Sequence, residues 1–278
     1  MEIDNAQTIL DAGAKNAAHV ETIAGIPSIV TPSGAAPLTA ILDVADKRAD
    51  KPRRRTGTAE HQSIRSFVEY VNRFKSDATA IFADESARRF VGVLNYHPAG
   101  ADSPPAWGDH RAVYPCPASD EWTAWGAGRA VTLGQDDFAE FLDAHDRDLA
   151  SGVADANGKP YPAPAQLVTL AESLEAYSNK SGKRERKGSS VKLVFTEDSG
   201  VKANVEIPTA FAIKIPVFAD SEAVAHEVRL RVESNEGAPS FVFQIHDSPK
   251  VLRAAFAALV EDVEKSTSAQ TFIATPEK

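Results

Sequence analysis

The chain has 278 residues, 43% of them hydrophobic and 25% charged, a composition typical of a globular protein with a sizeable core. Acidic residues outnumber basic ones by 39 to 30, and the formal net charge of −9 disfavours nucleic acid as a partner, because neutralising phosphates supplies most non-specific affinity. The single cysteine, Cys116, excludes an intramolecular disulfide, and no apolar run approaches the roughly 20 residues of a membrane helix, so we expect no membrane segment.

The first 57 residues are predicted to form an extended arm and a linker. Residues 26–42 contain three prolines and a glycine, a pattern that favours extended chain with turns over a packed helix. Residues 46–55 then concentrate basic side chains around Pro52. This run fits either a phosphate-binding arm or a solvated linker, and short charge runs are more often solvated. Its candidate anion-binding residues are Arg53, Arg54 and Arg55.

In the region that follows, the spacing of apolar residues changes from that of a helix to that of a strand. Residues 59–75 show the i, i+3, i+4, i+7 apolar spacing of a helix with one buried face, and Thr58 is placed to be its N-cap. Two short β-rich runs, residues 79–84 and 88–97, are predicted to form an antiparallel hairpin. A loop rich in glycine and proline leads to a third run at 110–114, and this order fits a meander.

Two helices are predicted in the middle of the chain, one over residues 135–149 and one whose apolar stripe runs from Leu167 to Tyr177. A proline-rich break at residues 160–164 separates them. Residues 178–190 are polar, basic and bracketed by glycines, which indicates an exposed loop. This loop supplies a second set of candidate anion-binding residues, namely Lys183, Arg184, Arg186 and Lys187.

Strand-like runs dominate the chain from residue 191 to residue 246, and the strict alternation in residues 226–233 is typical of a sheet with one wet face. Asp247 as N-cap, with Pro249 after it, is predicted to start a last helix, and the tail T-F-I-A-T-P adds a short strand. We therefore predict an α+β fold with largely antiparallel sheets, four to five helices and an extended N-terminal arm. Residues 58–278 are expected to form one domain, with a subdivision near residues 178–190.

The chemically unusual side chains gather in residues 95–149. His97, Asp109 and His110 are candidate metal ligands near the glycine- and proline-rich loop, and His145 lies on the helix that follows. Their spacing matches no recognised ligand motif, so we predict no metal and no other cofactor. Cys116 lies between two prolines without a family signature and is interpreted as a structural thiol, so no catalytic residue is predicted.

Aromatic side chains are the other feature of this stretch. Such residues stack on bases or sugars, fill ordinary cores, and form the hot spots of protein interfaces. Because the net acidity disfavours nucleic acid, we interpret them as core residues and contacts with another subunit or protein. Residues 98–108 and 121–128 are where contact with a partner is expected first. The aromatic contact candidates are Tyr96, Trp107, Tyr114, Trp122 and Trp125.

A series of short motifs in residues 67–148 carries a family resemblance. They are, in order, S-F-V-E-Y-V-N, I-F-A-D, V-G-V-L-N-Y-H, W-G-D-H-R-A-V-Y, E-W-T-A-W and Q-D-D-F-A-E-F-L-D. On these motifs the chain resembles the YfdQ-like family of phage and prophage proteins, with weaker similarity extending to the C-terminal helix. The resemblance implies a gene of a tailed phage or prophage and a protein of the bacterial cytoplasm. It implies no activity for any residue.

Three functional hypotheses follow from these observations. In the first, the protein is a non-enzymatic oligomer that binds a host or phage macromolecule during infection through the aromatic stretch and the basic loops. In the second, it assembles with further copies of itself into a ring, a filament or a shell. In the third, it is a metal- or cysteine-dependent enzyme that uses His97, Asp109, His110 and Cys116. We favour the hypotheses in that order.

Overall fold

In a computed structural model of the chain, residues 19–23, 26–30, 50–52, 54–100, 102–176, 182–187, 190–196, 202–233 and 240–277 are described. Within residues 19–30, 171–172 and 174–205 the description covers the backbone alone. The chain divides into two compact units, Met1–Thr56 and Gly57–Lys278. In the first unit, two strands form an antiparallel hairpin that the sequence pattern did not predict. Apart from these strands and residues 50–52 and 54–56, the predicted arm, including Arg53, lies outside the described residues.

The secondary structure mixes helices and strands along the whole described chain. In chain order the elements are β1 (His19–Ile23), β2 (Ile26–Val30), β3 (Gly57–Glu60), α1 (Ile64–Phe74), β4 (Ala80–Asp84), β5 (Arg89–Val93), β6 (His110–Tyr114), α2 (Asp120–Ala124), β7 (Val131–Leu133), α3 (Gln135–Ala144), a 3-10 turn (Asp146–Asp148), α4 (Pro164–Ala176), β8 (Gly182–Lys187), β9 (Ser190–Thr196), β10 (Lys202–Pro208), β11 (Ala210–Ile215), β12 (Val224–Glu233), β13 (Ser240–Ile245), α5 (Ser248–Thr267) and β14 (Gln270–Phe272).

Two sheets organise the second unit. The five-stranded sheet has the order β14-β4-β5-β6-β3, and β4, β5 and β6 form the predicted antiparallel meander. Its two edge strands, β14 and β3, pair in parallel with β4 and β6. The four-stranded sheet, β11-β12-β13-β7, is antiparallel throughout, as is a smaller sheet of β10, β9 and β8. With five α-helices among the described residues, this confirms the predicted α+β fold with largely antiparallel sheets.

Helix α1 begins later than its apolar spacing predicted. Residues 57–60 pair with β6 as a strand, so Thr58 is not the N-cap. The cap is Ser63, whose hydroxyl accepts a hydrogen bond from the Ser66 N–H, and the Asp220 carboxylate accepts one from the Ile64 N–H at 2.9 Å. Both oxygens satisfy N–H groups that the first turn of a helix leaves without a partner, which explains the start at this position.

The larger of two hydrophobic clusters lies between the helices and the two large sheets, and the smaller one contains Phe82 and Val91. Helices α1 and α5 pack against the five-stranded sheet, where the rings of Phe90 and Phe256 stack with centroids 5.4 Å apart. Helix α3 packs against the four-stranded sheet, where Phe138 and Phe241 stack at 4.6 Å. Burial of such large aromatic rings supplies much of the free energy that stabilises a fold of this size.

Two further predictions needed correction. The exposed loop predicted over residues 178–190 is wrong for residues 182–187, which form strand β8 and pair with β9, because pairing with a strand overrides the polar composition. The last helix starts where predicted, but the Asp247 side chain makes no capping hydrogen bond and its backbone is left-handed, with φ at 51°. None of the described helices is long and apolar enough to cross a membrane.

Candidate functional site

The five aromatic contact candidates separate into two groups. Trp122, Trp125 and Tyr114 are almost completely buried. They therefore present no surface to a partner in this structure, which corrects their prediction as contact residues and leaves the core interpretation. Trp107, in contrast, is 74% exposed, and Tyr96 is half-buried. The contact role of residues 98–108 and 121–128 stays a prediction, and the exposed tryptophan lies on the connection between β5 and β6.

The buried aromatic residues have polar partners that fix their positions. The indole N–H of Trp125 donates to the Asp148 carboxylate at 2.8 Å, and the ring packs edge-on against Phe141 at 4.9 Å. The hydroxyl of Tyr114 donates to Asp220 at 2.6 Å. Burial, together with this bonded carboxylate, raises the pKa of Tyr114 above its usual range. These hydrogen bonds fix the buried rings in position within the fold.

The connection between β5 and β6, residues 94–109 and here called the β5–β6 loop, is held at its base by one side chain. The amide of Asn95 donates to the Asp109 carboxylate at 2.9 Å, and its oxygen accepts from the His110 N–H at 2.9 Å. The Gly108 N–H also donates to the Asn95 carbonyl at 3.1 Å. These hydrogen bonds hold the two ends of the loop together and so fix the direction in which the loop leaves the sheet.

A second clamp lies further out, directly before the exposed tryptophan. The Nδ1 atom of His97 accepts a hydrogen bond from the Ala106 N–H at 3.0 Å. His97 also lies against the ring of Tyr96, with centroids 4.7 Å apart, and Tyr96 packs edge-on against Phe82 at 5.3 Å. The backbone next to Trp107 is therefore tied to the outer face of the five-stranded sheet.

A cavity of about 280 Å³ lies where the β5–β6 loop joins the sheet. Its walls come from three parts of the chain, the turn before β4, the start of the loop and strand β14. The sequence predicted Tyr96 and His97 as notable residues but gave no reason to connect them with Asp77 or Phe272. The residues that carry its chemistry are Asp77, Tyr96, His97, Gln270 and Phe272.

The candidate metal ligands do not come together. His97 accepts a hydrogen bond from the Ala106 N–H, and the Asp109 carboxylate accepts one from the Asn95 amide. The Nε2 atom of His110 lies 3.2 Å from the hydroxyl of Tyr70, a residue of helix α1. His145, which follows helix α3, donates to the Phe141 carbonyl of that helix. Among the described residues, no three histidine, cysteine or acidic side chains form a group able to hold a metal ion.

Cys116 lies in the core beside the Tyr114–Asp220 pair. Burial raises the pKa of the Cys116 thiol to about 12, and the negative charge of Asp220 adds to this effect. A nucleophilic cysteine needs the thiolate form and access to a substrate. The structural interpretation of this thiol therefore fits its surroundings, and the arrangement does not favour the cysteine-dependent enzyme.

The glycines at residues 126 and 128 belong to a turn. Gly126, Ala127 and Gly128 all have positive φ angles, and the turn connects α2 to β7. The Gly128 carbonyl accepts hydrogen bonds from Gln244 at 2.9 Å and from Ser248 at 3.0 Å. These contacts fix the turn against β13 and the start of α5, a structural use of the glycines.

The basic candidates lie in two places. Arg54 and Arg55 are exposed just before β3, whereas Arg53 lies outside the described residues. The second set occupies strand β8, of which the backbone alone is described. Anion binding by either set stays a prediction. The members of the second set are Lys183, Arg184, Arg186 and Lys187.

A larger cavity of about 550 Å³ lies beside helix α4, floored by Leu167 and Leu170. Tyr161 lines it and donates its hydroxyl to Glu227 at 2.7 Å, and Arg229 donates to the same carboxylate at 3.0 Å. Burial works to raise the pKa of Glu227, but these two hydrogen bonds outweigh it and the pKa lies below the usual range. The carboxylate is thus held ionised by its neighbours, as expected of a structural anchor.

The buried histidines predict a decrease of stability in mild acid. His226 donates to the Ile215 carbonyl at 3.2 Å, and burial lowers its pKa although this hydrogen bond opposes the effect. Burial also lowers the pKa of His61. From pH 6.5 downwards the unfolded chain binds protons that the folded chain does not, so the free energy of unfolding is highest above pH 6.5 and decreases on acidification, by at most about 1.4 kcal/mol per pH unit for each histidine.

Urea unfolding between pH 7.5 and pH 5.5 measures this slope. We expect the His226→Gln variant, which retains a donor for Ile215 and cannot take up a proton, to show a shallower decrease than the parent protein. Equal slopes for both proteins would mean that His226 does not stay neutral in the folded state.

Comparison with known proteins identifies a related family. The model of a family described as "Uncharacterized conserved protein (DUF2303)" matches residues 2–276. No curated protein and no solved structure matches the chain. The match covers both compact units, and its description names no substrate, cofactor or partner.

Proposed function

As the chain belongs to the DUF2303 family of uncharacterized conserved proteins, we propose its function from its surface: it is a non-enzymatic protein that binds a macromolecular partner through the β5–β6 loop. The observation that carries this proposal is a tryptophan that is 74% exposed on a loop clamped by side-chain hydrogen bonds. Tryptophan is strongly enriched among the residues that dominate the free energy of protein interfaces.

Preorganisation of the loop adds to the argument. An exposed indole on a mobile loop would lose conformational entropy on binding, whereas the Asn95 and His97 hydrogen bonds restrict this backbone before a partner arrives. Exposing so much apolar surface is unfavourable in the isolated chain, and an interface would remove it from water. Phe272, on the neighbouring edge strand, is also 36% exposed and extends the apolar surface of this sheet.

Site-specific photo-crosslinking tests the proposal. A benzophenone amino acid placed at Trp107 in native host cells is expected to give an adduct of discrete mass, because this residue lies inside the proposed interface. The same amino acid at Val224, which is 52% exposed at the start of β12, is the matched control and is expected to give none. Identical adducts at the two positions would contradict the proposal.

The adduct leads to a quantitative prediction for the complex. With the identified partner and the purified chain, we expect Trp107→Ala to weaken binding by about 30-fold, the effect of losing a hot-spot residue worth about 2 kcal/mol. Isothermal titration calorimetry measures the affinity, and urea unfolding checks that the exposed substitution leaves stability unchanged. Unchanged affinity in a folded variant would remove Trp107 from the interface.

The resemblance to phage and prophage proteins adds a proposal about the origin of the gene and the place where the protein acts. We propose that the gene derives from a phage or prophage, that the protein acts in the cytoplasm of the host bacterium, and that it functions as a homo-oligomer bound to a host or phage macromolecule. Mass spectrometry of the Trp107 adduct distinguishes a second copy of this chain from a different macromolecule, because an adduct of two identical chains has twice the mass of one. Self-assembly through the same loop would give that adduct alone.

A further inference from the structure

The cavity at the base of the β5–β6 loop has aromatic walls and an acidic rim. Tyr96 and Phe272 both pack against the buried ring of Phe82, with centroid distances of 5.3 Å and 5.6 Å. His97 continues the wall beyond Tyr96. Both Tyr96 and Phe272 line the cavity although residues 96 and 272 are far apart in the sequence.

The charge at this cavity has one sign. Asp77 lines it from the turn before β4 and is exposed, and within the described part of the chain its carboxylate has neither an ion pair nor a hydrogen-bond donor. No lysine or arginine is among the lining residues, and Gln270 provides a neutral amide on the opposite strand. A positively charged group would therefore meet a carboxylate and several aromatic rings, with no repelling cation in the wall.

The size of the cavity limits what it holds. At about 280 Å³ it is smaller than the roughly 300–1,000 Å³ of pockets for drug-sized ligands, and a single long side chain fits it better. Aromatic rings attract cations through their negative faces, and the planar guanidinium of arginine stacks on rings while it pairs with a carboxylate. Lysine lacks this planar group and cannot do both in the same way.

We propose that this cavity binds an arginine side chain of the protein partner, with Asp77 as its counter-ion and Tyr96, His97 and Phe272 as its stacking surface. The inference rests on the proposed function, because it assigns a residue of the partner to a cavity at the base of the loop that carries Trp107. The charge complementarity favours a basic protein surface over nucleic acid, since phosphates would be repelled by Asp77.

A titration with a minimal ligand tests the site without the partner. The isotope-labelled full-length chain is titrated with N-acetyl-L-arginine amide, and NMR shifts of residues 77, 96, 270 and 272 are followed. We expect saturable binding in the millimolar range. N-acetyl-L-citrulline amide has nearly the same shape without the charge, and N-acetyl-L-lysine amide has the charge without the planar group. We expect both to bind at least about threefold more weakly, because the first loses the charge pair and the second loses the stacking.

Two substitutions at exposed positions change the charge in opposite directions. Asp77→Asn is expected to weaken binding of the arginine probe by about threefold to fivefold, and Gln270→Glu to strengthen it by a similar factor. Opposite effects from two surface variants are not produced by misfolding, which would weaken binding in both. Equal binding of the citrulline probe, or the absence of saturable shifts at these residues, would overturn the proposal, and equal binding of the lysine probe would overturn the choice of arginine.

The outcomes also separate this inference from the proposed function. Trp107 is not among the residues that line the cavity, so the probe titration and the crosslink at Trp107 report on different residues. Probe binding without a crosslink at Trp107 would preserve the arginine site and contradict the proposed interface. A crosslink at Trp107 without probe binding would preserve the interface and contradict the arginine site.

Discussion

Replacement of Trp125 by alanine is expected to lower the free energy of unfolding by about 4 kcal/mol, within the range measured when buried Trp or Phe is truncated. The Trp125 side chain is fully buried, and its ring centroid lies between 4.9 and 5.9 Å from the ring centroids of Phe141, Phe211 and Phe243. Truncation would leave a cavity between α3 and the four-stranded sheet. It would also remove the indole N–H that donates a hydrogen bond to the Asp148 carboxylate.

The matched control is the same substitution at the exposed tryptophan. Trp107→Ala is expected to change the free energy of unfolding by less than about 0.5 kcal/mol, because substitutions of exposed side chains away from special features usually have small effects. Urea unfolding followed by circular dichroism measures both variants, and an unchanged dependence on urea concentration checks that two-state behaviour persists. If the two substitutions had equal effects, the separation of core and surface tryptophans would be wrong.

This contrast shows what the sequence could and could not predict about the candidate site. Trp107, Trp122 and Trp125 lie within 19 positions of one another, and residue type alone suits both a core and an interface. What distinguishes them is long-range packing. Trp125 follows a short helix that lies against the four-stranded sheet, whereas Trp107 lies on the β5–β6 loop. Neither environment is encoded in the residues next to each tryptophan.

The same holds for the fold: contacts between segments that are adjacent in the sequence were predicted, and contacts between distant segments were not. The meander of β4, β5 and β6 was predicted because its strands are adjacent in sequence and separated by recognisable turns. The parallel pairings of the edge strands β3 and β14 were not predicted, since each pairs with a strand that lies far away along the chain. Helix α1 was predicted with a wrong start for the same reason, because residues 57–60 pair with β6, a strand that lies far along the chain.

The arginine-binding cavity is the clearest case of information that only the folded chain contains. Asp77 follows α1, Tyr96 follows β5, and Phe272 lies at the end of β14, so three separate segments are brought together by the order of one sheet. The sequence pattern predicted β14 as a strand but not its neighbour. Because β14 pairs with β4, its exposed ring lies on Phe82, and the cavity forms beside that contact.

A second large effect is expected at the turn between α2 and β7, where Gly128→Ala should lower the free energy of unfolding by about 3 kcal/mol. Gly128 has φ at +80°, a conformation that costs other residues about 1–2 kcal/mol. A Cβ atom there would lie 2.6 Å from the Cβ of Ser248 and 2.7 Å from its hydroxyl oxygen. Overpacking of this kind typically adds about 1–3 kcal/mol, and it would separate the turn from the first residue of α5.

The chain contains a control that separates the two causes. Gly158 has the same φ of +80° but nothing within 4 Å of an added Cβ, so Gly158→Ala measures the backbone cost alone. We expect this variant to lose about 1 kcal/mol, clearly less than Gly128→Ala. A double variant that adds Ser248→Gly removes the obstructing atoms, so its stability should exceed the value expected from adding the two single effects. Equal losses at residues 128 and 158, or strict additivity in the double variant, would contradict the close contact between the turn and α5.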